Sequence, residues 1–206
     1  MLLSAEYGRS VFINCPFDTR YKDVFEAVIF AVADCGFRPR CALEIEDSSQ
    51  VRMEKIFELI GECRFGIHDI SSTDLDVETQ LPRFNMPLEL GLFLGAKRYG
   101  DAEQRRKIGL ILDRTRFRYQ AFISDISGQD IQDHEGDPQR AIVKVRNWLR
   151  STSEKTSLPG GKAIAERYAR FCAQIPFLCS ELKLSQAELT FTDYIWIVTQ
   201  WLEKNA

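Results

Sequence analysis

From the N-terminus to Asp113, short apolar runs alternate with longer segments whose apolar residues recur at helical spacing. The apolar run at residues 10–17 predicts a first strand. Asp18 is placed to cap the helix that follows, and Gly36 is placed to end it. The inward face of this helix repeats at i, i+3, i+4 and i+7 and comprises Phe25, Val28, Ile29 and Val32.

Three more strands and two more helices follow in the same alternation. The strands are predicted at residues 37–44, 65–70 and 107–113. One helix lies between the first two of them, and its apolar stripe comprises Met53, Ile56, Phe57 and Ile60. A polar loop at residues 74–84 precedes the other helix, which Pro87 is expected to open.

Strands that alternate with helices favour an α/β domain, in which a parallel sheet carries helices on both faces and forms three layers. Ligands bind such sheets at the carboxyl ends of the strands, beside a switch in strand order. We therefore expect the functional loops to follow Ile13, Ile67 and Leu112.

Beyond Arg116 the pattern becomes less regular. An Asp- and Gly-rich stretch at residues 122–138 predicts a loop, and residues 141–150 predict a helix. Further helices are expected at residues 162–175, where Pro176 should end the helix, and at residues 194–202, behind a capping box formed by Ser185 and Glu188. The chain thus divides into an α/β domain at residues 1–150 and a C-terminal helical extension at residues 151–206. The extension either packs on the domain or forms an interface between copies.

The composition narrows the class of protein. The chain has 206 residues, 45% of them hydrophobic, and a formal net charge of −3, which predicts a globular protein without the basic footprint of a nucleic-acid binder. No apolar stretch approaches the roughly 20 residues that cross a bilayer, and Glu6 and Arg9 argue against a signal peptide, so we expect a cytoplasmic protein and no membrane partner. The six cysteines stand singly and match no metal site, so no metal is expected.

Glu89 is the residue most in need of an explanation, because it sits among Leu88, Leu90 and Phe93 on a helix that is apolar almost all round. Such a helix is buried, and burial of a carboxylate costs free energy, so its presence there needs a reason. One role is structural. If Pro87 is the first helical residue, Glu89 is the third and caps backbone amides.

The other role is chemical. Asp69 ends the third strand, close to the start of the helix that bears Glu89, so the two carboxylates are expected to share one cleft. Such a pair suits N-glycosidic cleavage, in which positive charge builds on the ribosyl carbon. His68 alternates with Asp69 across the sheet, so only one of them can point into a given pocket.

A motif around Glu89 resembles a known family. Arg83, Asn85, Glu89, Leu90, Gly91, Phe93 and Gly95 form the pattern R-x-N-x-x-x-E-L-G-x-F-x-G. This pattern resembles the motif of bacterial TIR-like domains found in nucleotide-activated antiphage effectors. Its E-L-G step, with the apolar strand that follows the helix, also resembles nucleoside 2-deoxyribosyltransferases, which share the fold. The opening VFINCPFD is similar to the first strand and loop of TIR domains. The resemblance covers residues 10–115 and implies a three-layer, flavodoxin-like or TIR-like fold.

The resemblance also implies a function. Glu89 matches the catalytic glutamate of both families, so we expect an enzyme that cleaves the N-glycosidic bond of NAD, with Glu89 and Asp69 as its catalytic residues and with NAD as substrate and no cofactor. The residues expected to bind the nucleotide are Asn14, Phe17, Asp18, His68, Ser71, Arg83 and Asn85. A homo-oligomer is expected, since many TIR-like enzymes act only when assembled.

Two alternatives stay open on the sequence. One is a nucleoside or nucleotide N-glycosidase or 2-deoxyribosyltransferase that uses the same Glu89. This chain carries Arg83, Phe84 and Asn85 where deoxyribosyltransferases place an aspartate, which argues against base exchange. The other alternative is a non-catalytic nucleotide sensor or adaptor that works by self-association through its C-terminal helices.

Overall fold

A parallel β-sheet forms the centre of the protein in the computed structural model, which describes residues 5–44, 47–75, 78–155 and 157–205. Its five strands run in the order β2-β1-β3-β4-β5, and every neighbouring pair is parallel. The strands are β1 (Ser10–Asn14), β2 (Arg38–Arg40), β3 (Phe65–Asp69), β4 (Ile108–Asp113) and β5 (Gln132–Asp133). The α/β prediction, with helices on both sheet faces, is confirmed.

Six α-helices cover the sheet in the described part of the chain: α1 (Lys22–Asp34), α2 (Arg52–Glu62), α3 (Asn85–Tyr99), α4 (Pro138–Thr152), α5 (Gly161–Glu181) and α6 (Phe191–Lys204). Helices α1 and α4 pack against each other on one face, and α2 and α3 pack on the other. Helices α5 and α6 lie outside α1 and α4 and share their core, so this side of the sheet carries two layers of helix.

The side chains of each strand alternate between the two faces. In β1, Val11 and Ile13 belong to the core beneath α1, whereas Phe12 packs with α2 and Phe93 of α3. In β3 the same alternation sends Ile67 towards α1 and the ring of His68 towards Phe93. Successive residues at the carboxyl end of β3 therefore serve opposite sides of the sheet.

The C-terminal helices are anchored on α1 by aromatic packing and one ion pair. The ring of Phe30 lies 5.3 Å from the ring of Phe171 and 5.9 Å from that of Trp201, centroid to centroid. Arg167 Nη2 lies 3.1 Å from Asp34 Oδ1, and the Asp34 side chain is only 3% exposed. The aromatic packing removes apolar surface of α1 from water, and the ion pair compensates the charge of the buried Asp34.

Local patterns misplaced three features of the C-terminal half. Residues 122–138 were expected to form a loop, but β5 lies within them, because the open edge of β4 supplies its hydrogen-bond partners. Helix α5 continues through Pro176, since Ile175 and Cys179 are buried on either side of it and their packing outweighs one lost hydrogen bond. The capping box of the last helix is Thr190 with Asp193 instead of Ser185 with Glu188.

The structure also bears on the expectations about membrane-spanning segments and cysteines. None of the helices in the described ranges is both long and apolar enough to cross a membrane. All six cysteines are free thiols, and five of them are buried. Burial rather than disulfide bonding therefore accounts for their placement.

Gly66 allows α3 to pack closely against the sheet, and its replacement tests that approach. A Cβ atom at Gly66 would lie 2.7 Å from a ring carbon of Phe93 and 2.7 Å from Nε2 of His68. We expect Gly66→Ala to lower the free energy of unfolding by about 1–3 kcal/mol, because both rings would have to move.

Gly61→Ala is the matched control, because a Cβ there meets no atom within 4 Å. It should be neutral or should stabilise the helix by about 0.5–1 kcal/mol. Chemical denaturation of the two variants measures the difference. Equal stability of both variants would contradict a tight approach of α3.

Candidate active site

The strand order reverses direction between β1 and β3, because the chain moves outward from β1 to β2 and then returns to the other side of β1. At such a switch point the loops diverge and leave a crevice at the carboxyl ends of the strands. Asn14 and His68 are register partners at these two strand ends. The crevice therefore opens beside the loop after β1 and the start of α3.

Asn14 joins the three elements that form this crevice. Its side-chain nitrogen, Nδ2, lies 3.1 Å from Nδ1 of His68 and donates to the backbone oxygen of Met86 at 2.8 Å. These contacts use both hydrogens of the amide and hold α3 to β1 and β3. The side-chain oxygen of Asn14 accepts no hydrogen bond from any described residue and is available to a ligand.

His68 is buried completely, and it positions neighbouring groups without lining the crevice. Its ring lies 4.7 Å from the ring of Phe93, centroid to centroid. Burial, together with the charge of Lys107, lowers the pKa of His68 to about 3, so the imidazole is neutral. Its Nδ1 then accepts from Asn14, which places the ring proton on Nε2.

A small pocket of about 100 Å³ occupies the crevice. The residues that line it are Asn14, Cys15, Pro16, Phe17, Arg52, Ser72, Arg83, Asn85, Met86 and Glu89. Five of the nine residues expected to act in catalysis or binding are thus brought together, namely Asn14, Phe17, Arg83, Asn85 and Glu89. Arg52 and Ser72 were missed, because only the fold brings them to this edge.

Glu89 is one of the buried residues that line this pocket. The residue is 6% exposed, and its side chain makes no hydrogen bond or ion pair with any residue that the structure describes. Burial raises the pKa of its carboxyl group to about 7, against the opposing charge of Arg52. Near neutral pH the carboxyl group is therefore divided between its charged and its protonated form.

The helix-cap explanation of Glu89 is wrong. Helix α3 begins at Asn85, two residues before Pro87, so Glu89 is its fifth residue and lies beyond the first turn. No side-chain hydrogen bond caps the start of α3. The carboxylate thus has no structural partner that would account for its burial.

Asp69 lies apart from the Glu89 pocket, in contrast to the expected shared cleft. It points to the α1 side of the sheet, where its Oδ2 accepts from the hydroxyl of Tyr21 at 2.5 Å and its Oδ1 accepts from the backbone nitrogen of Ser71 at 2.8 Å. His134 Nε2 is also 2.8 Å from its Oδ2, out of line for a hydrogen bond. Asp69 thus connects the loops after β1, β3 and β5.

The other expected residues have local structural contacts. Asp18 accepts from the backbone nitrogens of Arg20 and Tyr21, which makes a turn ahead of α1. Ser71 is buried beside Asp69. Neither Asp18 nor Ser71 lines the Glu89 pocket.

Arg118 braces the loop that follows β3. Its guanidinium donates to Asp113 at the end of β4, to the side chain of Thr73 and to the backbone oxygen of Ile70. This places the loop that contributes Ser72 to the pocket. No spacing in the sequence indicated the brace, because its partners lie on separate elements.

No protein-family model matches the chain, and neither a curated protein nor a solved structure matches it. The likeness to TIR-like domains therefore rests on the motif around Glu89 and on the opening VFINCPFD.

The raised pKa of Glu89 makes the stability of the protein depend on pH. Glutamate ordinarily titrates near 4.5, whereas Glu89 in the folded protein titrates at about 7. The folded state holds its proton more tightly, so stability that is present below pH 4.5 is lost as the pH rises through 7.

Glu89→Gln removes this titration, and we expect the variant to exceed the parent by about 1–3 kcal/mol in free energy of unfolding at about pH 8. The gain should shrink towards about pH 5. Chemical denaturation at both pH values measures it, and Glu54→Gln, at an exposed position of α2, is the matched control. A constant gain at both pH values would contradict the raised pKa.

The network around Asp69 predicts a structural effect of its removal. Asp69→Asn keeps the shape but loses a charged acceptor shared by Tyr21 and the backbone of Ser71, so stability should fall by about 1–3 kcal/mol. Turnover per folded molecule should change little. Asp74→Asn is the control, because Asp74 forms an exposed ion pair, 3.9 Å from Arg20. Unchanged melting with lowered turnover would instead support the catalytic role expected of Asp69.

Proposed function

We propose that this protein is an N-glycosidase that hydrolyses NAD and releases nicotinamide, with Glu89 as its catalytic carboxylate. The observation that carries the proposal is the carboxyl group of Glu89, which is buried, lines a pocket and has no hydrogen-bond partner among the described residues. The desolvation of this carboxyl group lowers the stability of the fold, and such unfavourably buried groups are common at catalytic sites.

The chemistry of the pocket suits the cleavage of a ribosyl bond. As the bond between C1′ of the ribose and the ring nitrogen breaks, its electron pair leaves with the ring and positive charge builds on the ribosyl carbon. The Glu89 carboxylate faces that charge in a site from which most water is excluded, so the attraction is strong. Water then supplies the oxygen at C1′, and the carboxylate accepts its proton.

The remaining polar groups bind and orient the substrate. The free side-chain oxygen of Asn14 accepts from a ribose hydroxyl beside Glu89. Arg52, Arg83 and Asn85 line the outer part of the pocket and supply donors to hydroxyl and phosphate oxygens. A pocket of about 100 Å³ holds the ribosyl unit, while the rest of the nucleotide extends beyond it.

The pH dependence of the reaction separates NAD from a neutral nucleoside. Nicotinamide leaves NAD as a neutral molecule and needs no proton, so only ionised Glu89 is required. A purine base leaves more easily when an acid protonates it. Activity that requires only the ionised form of Glu89 therefore favours NAD as the substrate. Activity that requires the protonated form of Glu89 favours the nucleoside alternative.

The proposal is tested by following nicotinamide release from NAD chromatographically, at several protein concentrations so that an assembled form is also sampled. We expect kcat/KM to rise with pH and to level off above a pKa of about 7, as Glu89 ionises. Glu89→Gln should lower kcat/KM by about 10²–10³-fold without loss of folding.

Glu54→Gln should retain parental activity, since Glu54 is exposed and lies outside the pocket. Full activity of Glu89→Gln would contradict the assignment. Release of a purine from a deoxynucleoside, with no nicotinamide from NAD, would establish the alternative substrate class.

A further inference from the structure

Two arginines line the Glu89 pocket where it opens to solvent. Arg52 is the first residue of α2, and Arg83 lies two residues before Asn85, the first residue of α3. Both arginines are exposed, and neither makes a hydrogen bond or an ion pair with any residue that the structure describes. Their guanidinium groups are therefore free to bind an anion at the pocket.

The backbone and the neutral side chains around the arginines also offer donors. Ser72 and Asn85 line the pocket, and the side chain of neither makes a hydrogen bond within the described part of the chain. Helices α2 and α3 both begin at the pocket, and no side-chain hydrogen bond caps the start of either one. The first turn of each helix thus keeps free amide hydrogens, and both helix dipoles place partial positive charge there.

The pocket is consequently polarised. Glu89 is the one carboxylate among its described lining residues, and it is buried, whereas Arg52 and Arg83 are exposed. Burial raises the pKa of Glu89, and the charge of Arg52 opposes that rise, so the two groups are electrostatically coupled. The pocket therefore offers positive charge where it is open to solvent and a carboxyl group where it is buried.

We propose that this pocket requires a phosphate on O5′ of the ribose, so that nucleotides are its substrates and nucleosides are not. The inference rests on the proposed function and names its substrate class. In a ribosyl 5′-phosphate the anionic group lies at the opposite end of the sugar from C1′, the carbon that becomes positive as its bond to the base breaks. Phosphate bound by Arg52 and Arg83 leaves C1′ for Glu89, so the two ends of the substrate match the two charges of the pocket.

Arg52 and Arg83 set the substrate specificity in this arrangement. A phosphate held by two guanidinium groups fixes one end of the sugar and directs the other end towards Glu89. A nucleoside has a hydroxyl group in place of the phosphate, so it forms no charge-assisted hydrogen bonds with the arginines. The alternative substrate to NAD is thereby narrowed from nucleosides to nucleotides.

Binding of ribose 5-phosphate tests the proposal without any turnover. Ribose and inorganic phosphate are the comparison probes, because each carries one half of the ligand. We expect NMR or calorimetric titration of the full chain at low ionic strength to give at least about tenfold tighter binding of ribose 5-phosphate than of either probe. A failure of ribose 5-phosphate to bind would overturn the proposal. Binding no tighter than that of ribose, or no tighter than that of inorganic phosphate, would overturn it as well.

Arg52→Gln and Arg83→Gln test the two arginines. Each substitution should weaken the binding of ribose 5-phosphate by about 10- to 100-fold, because charge-assisted hydrogen bonds are lost. Both positions are exposed, so the fold should persist, which thermal melting verifies. Arg98→Gln is the matched control, because Arg98 is exposed in the last turn of α3 and lies outside the pocket. Parental binding in either pocket variant would contradict the proposal.

The proposed reaction gives a second measurement. Nicotinamide mononucleotide and nicotinamide riboside share the bond that breaks and differ in the 5′-phosphate. We expect kcat/KM for nicotinamide release to be at least about 100-fold higher for the mononucleotide, and comparable values would overturn the requirement for phosphate.

Failure of this proposal is distinguishable from failure of the glycosidase proposal. Glu89→Gln should bind ribose 5-phosphate at least as tightly as the parent, because the substitution removes a negative charge from the pocket. Binding of ribose 5-phosphate without turnover of any nucleotide would refute the glycosidase proposal alone. Release of nicotinamide from NAD by a protein that does not bind ribose 5-phosphate would refute the phosphate requirement alone.

Discussion

The side-chain amide of Asn14 is the contact on which the candidate site depends. One of its hydrogens is directed to His68 at the end of β3, and the other to the backbone oxygen of Met86 in the first turn of α3. Because both partners are buried, loss of either contact would leave a polar atom without compensation. The amide thus fixes the distance from β1 to the helix that carries Glu89, and Asn14 is itself part of the pocket lining.

The close approach of α3 to the sheet follows from the same constraint. Gly66 leaves room for the ring of Phe93, which in turn packs on His68. The burial of these rings makes His68 a neutral acceptor for Asn14 rather than a charged group. Packing and hydrogen bonding therefore support each other at one point of the molecule, and Glu89 lies one helical turn before Phe93.

The two carboxylates that drew attention in the sequence differ in their surroundings. Asp69 accepts from a hydroxyl and a backbone amide, so its negative charge is compensated within the fold. Glu89 has no such donors among the described residues, and burial raises the pKa of its carboxyl group to about 7. Asp69 points to the α1 side of the sheet, whereas Glu89 belongs to α3 on the opposite side. Asp69 is therefore a structural acid, and Glu89 is the candidate catalytic one.

The sequence by itself determined the alternation of strands and helices, the parallel sheet and the burial of Glu89, because these follow from apolar periodicity and from a lone carboxylate among leucines. Five of the predicted site residues could also be found from the sequence, because they lie after the first strand or near the start of α3. Tertiary structure alone decided the side of the sheet to which Asp69 points, and it brought Arg52 and Ser72 to the pocket. It also decided the pairing of β5, the passage of α5 through Pro176 and the packing of α6 on α1. Each of these depends on contacts between residues far apart in the chain, which a local pattern does not encode.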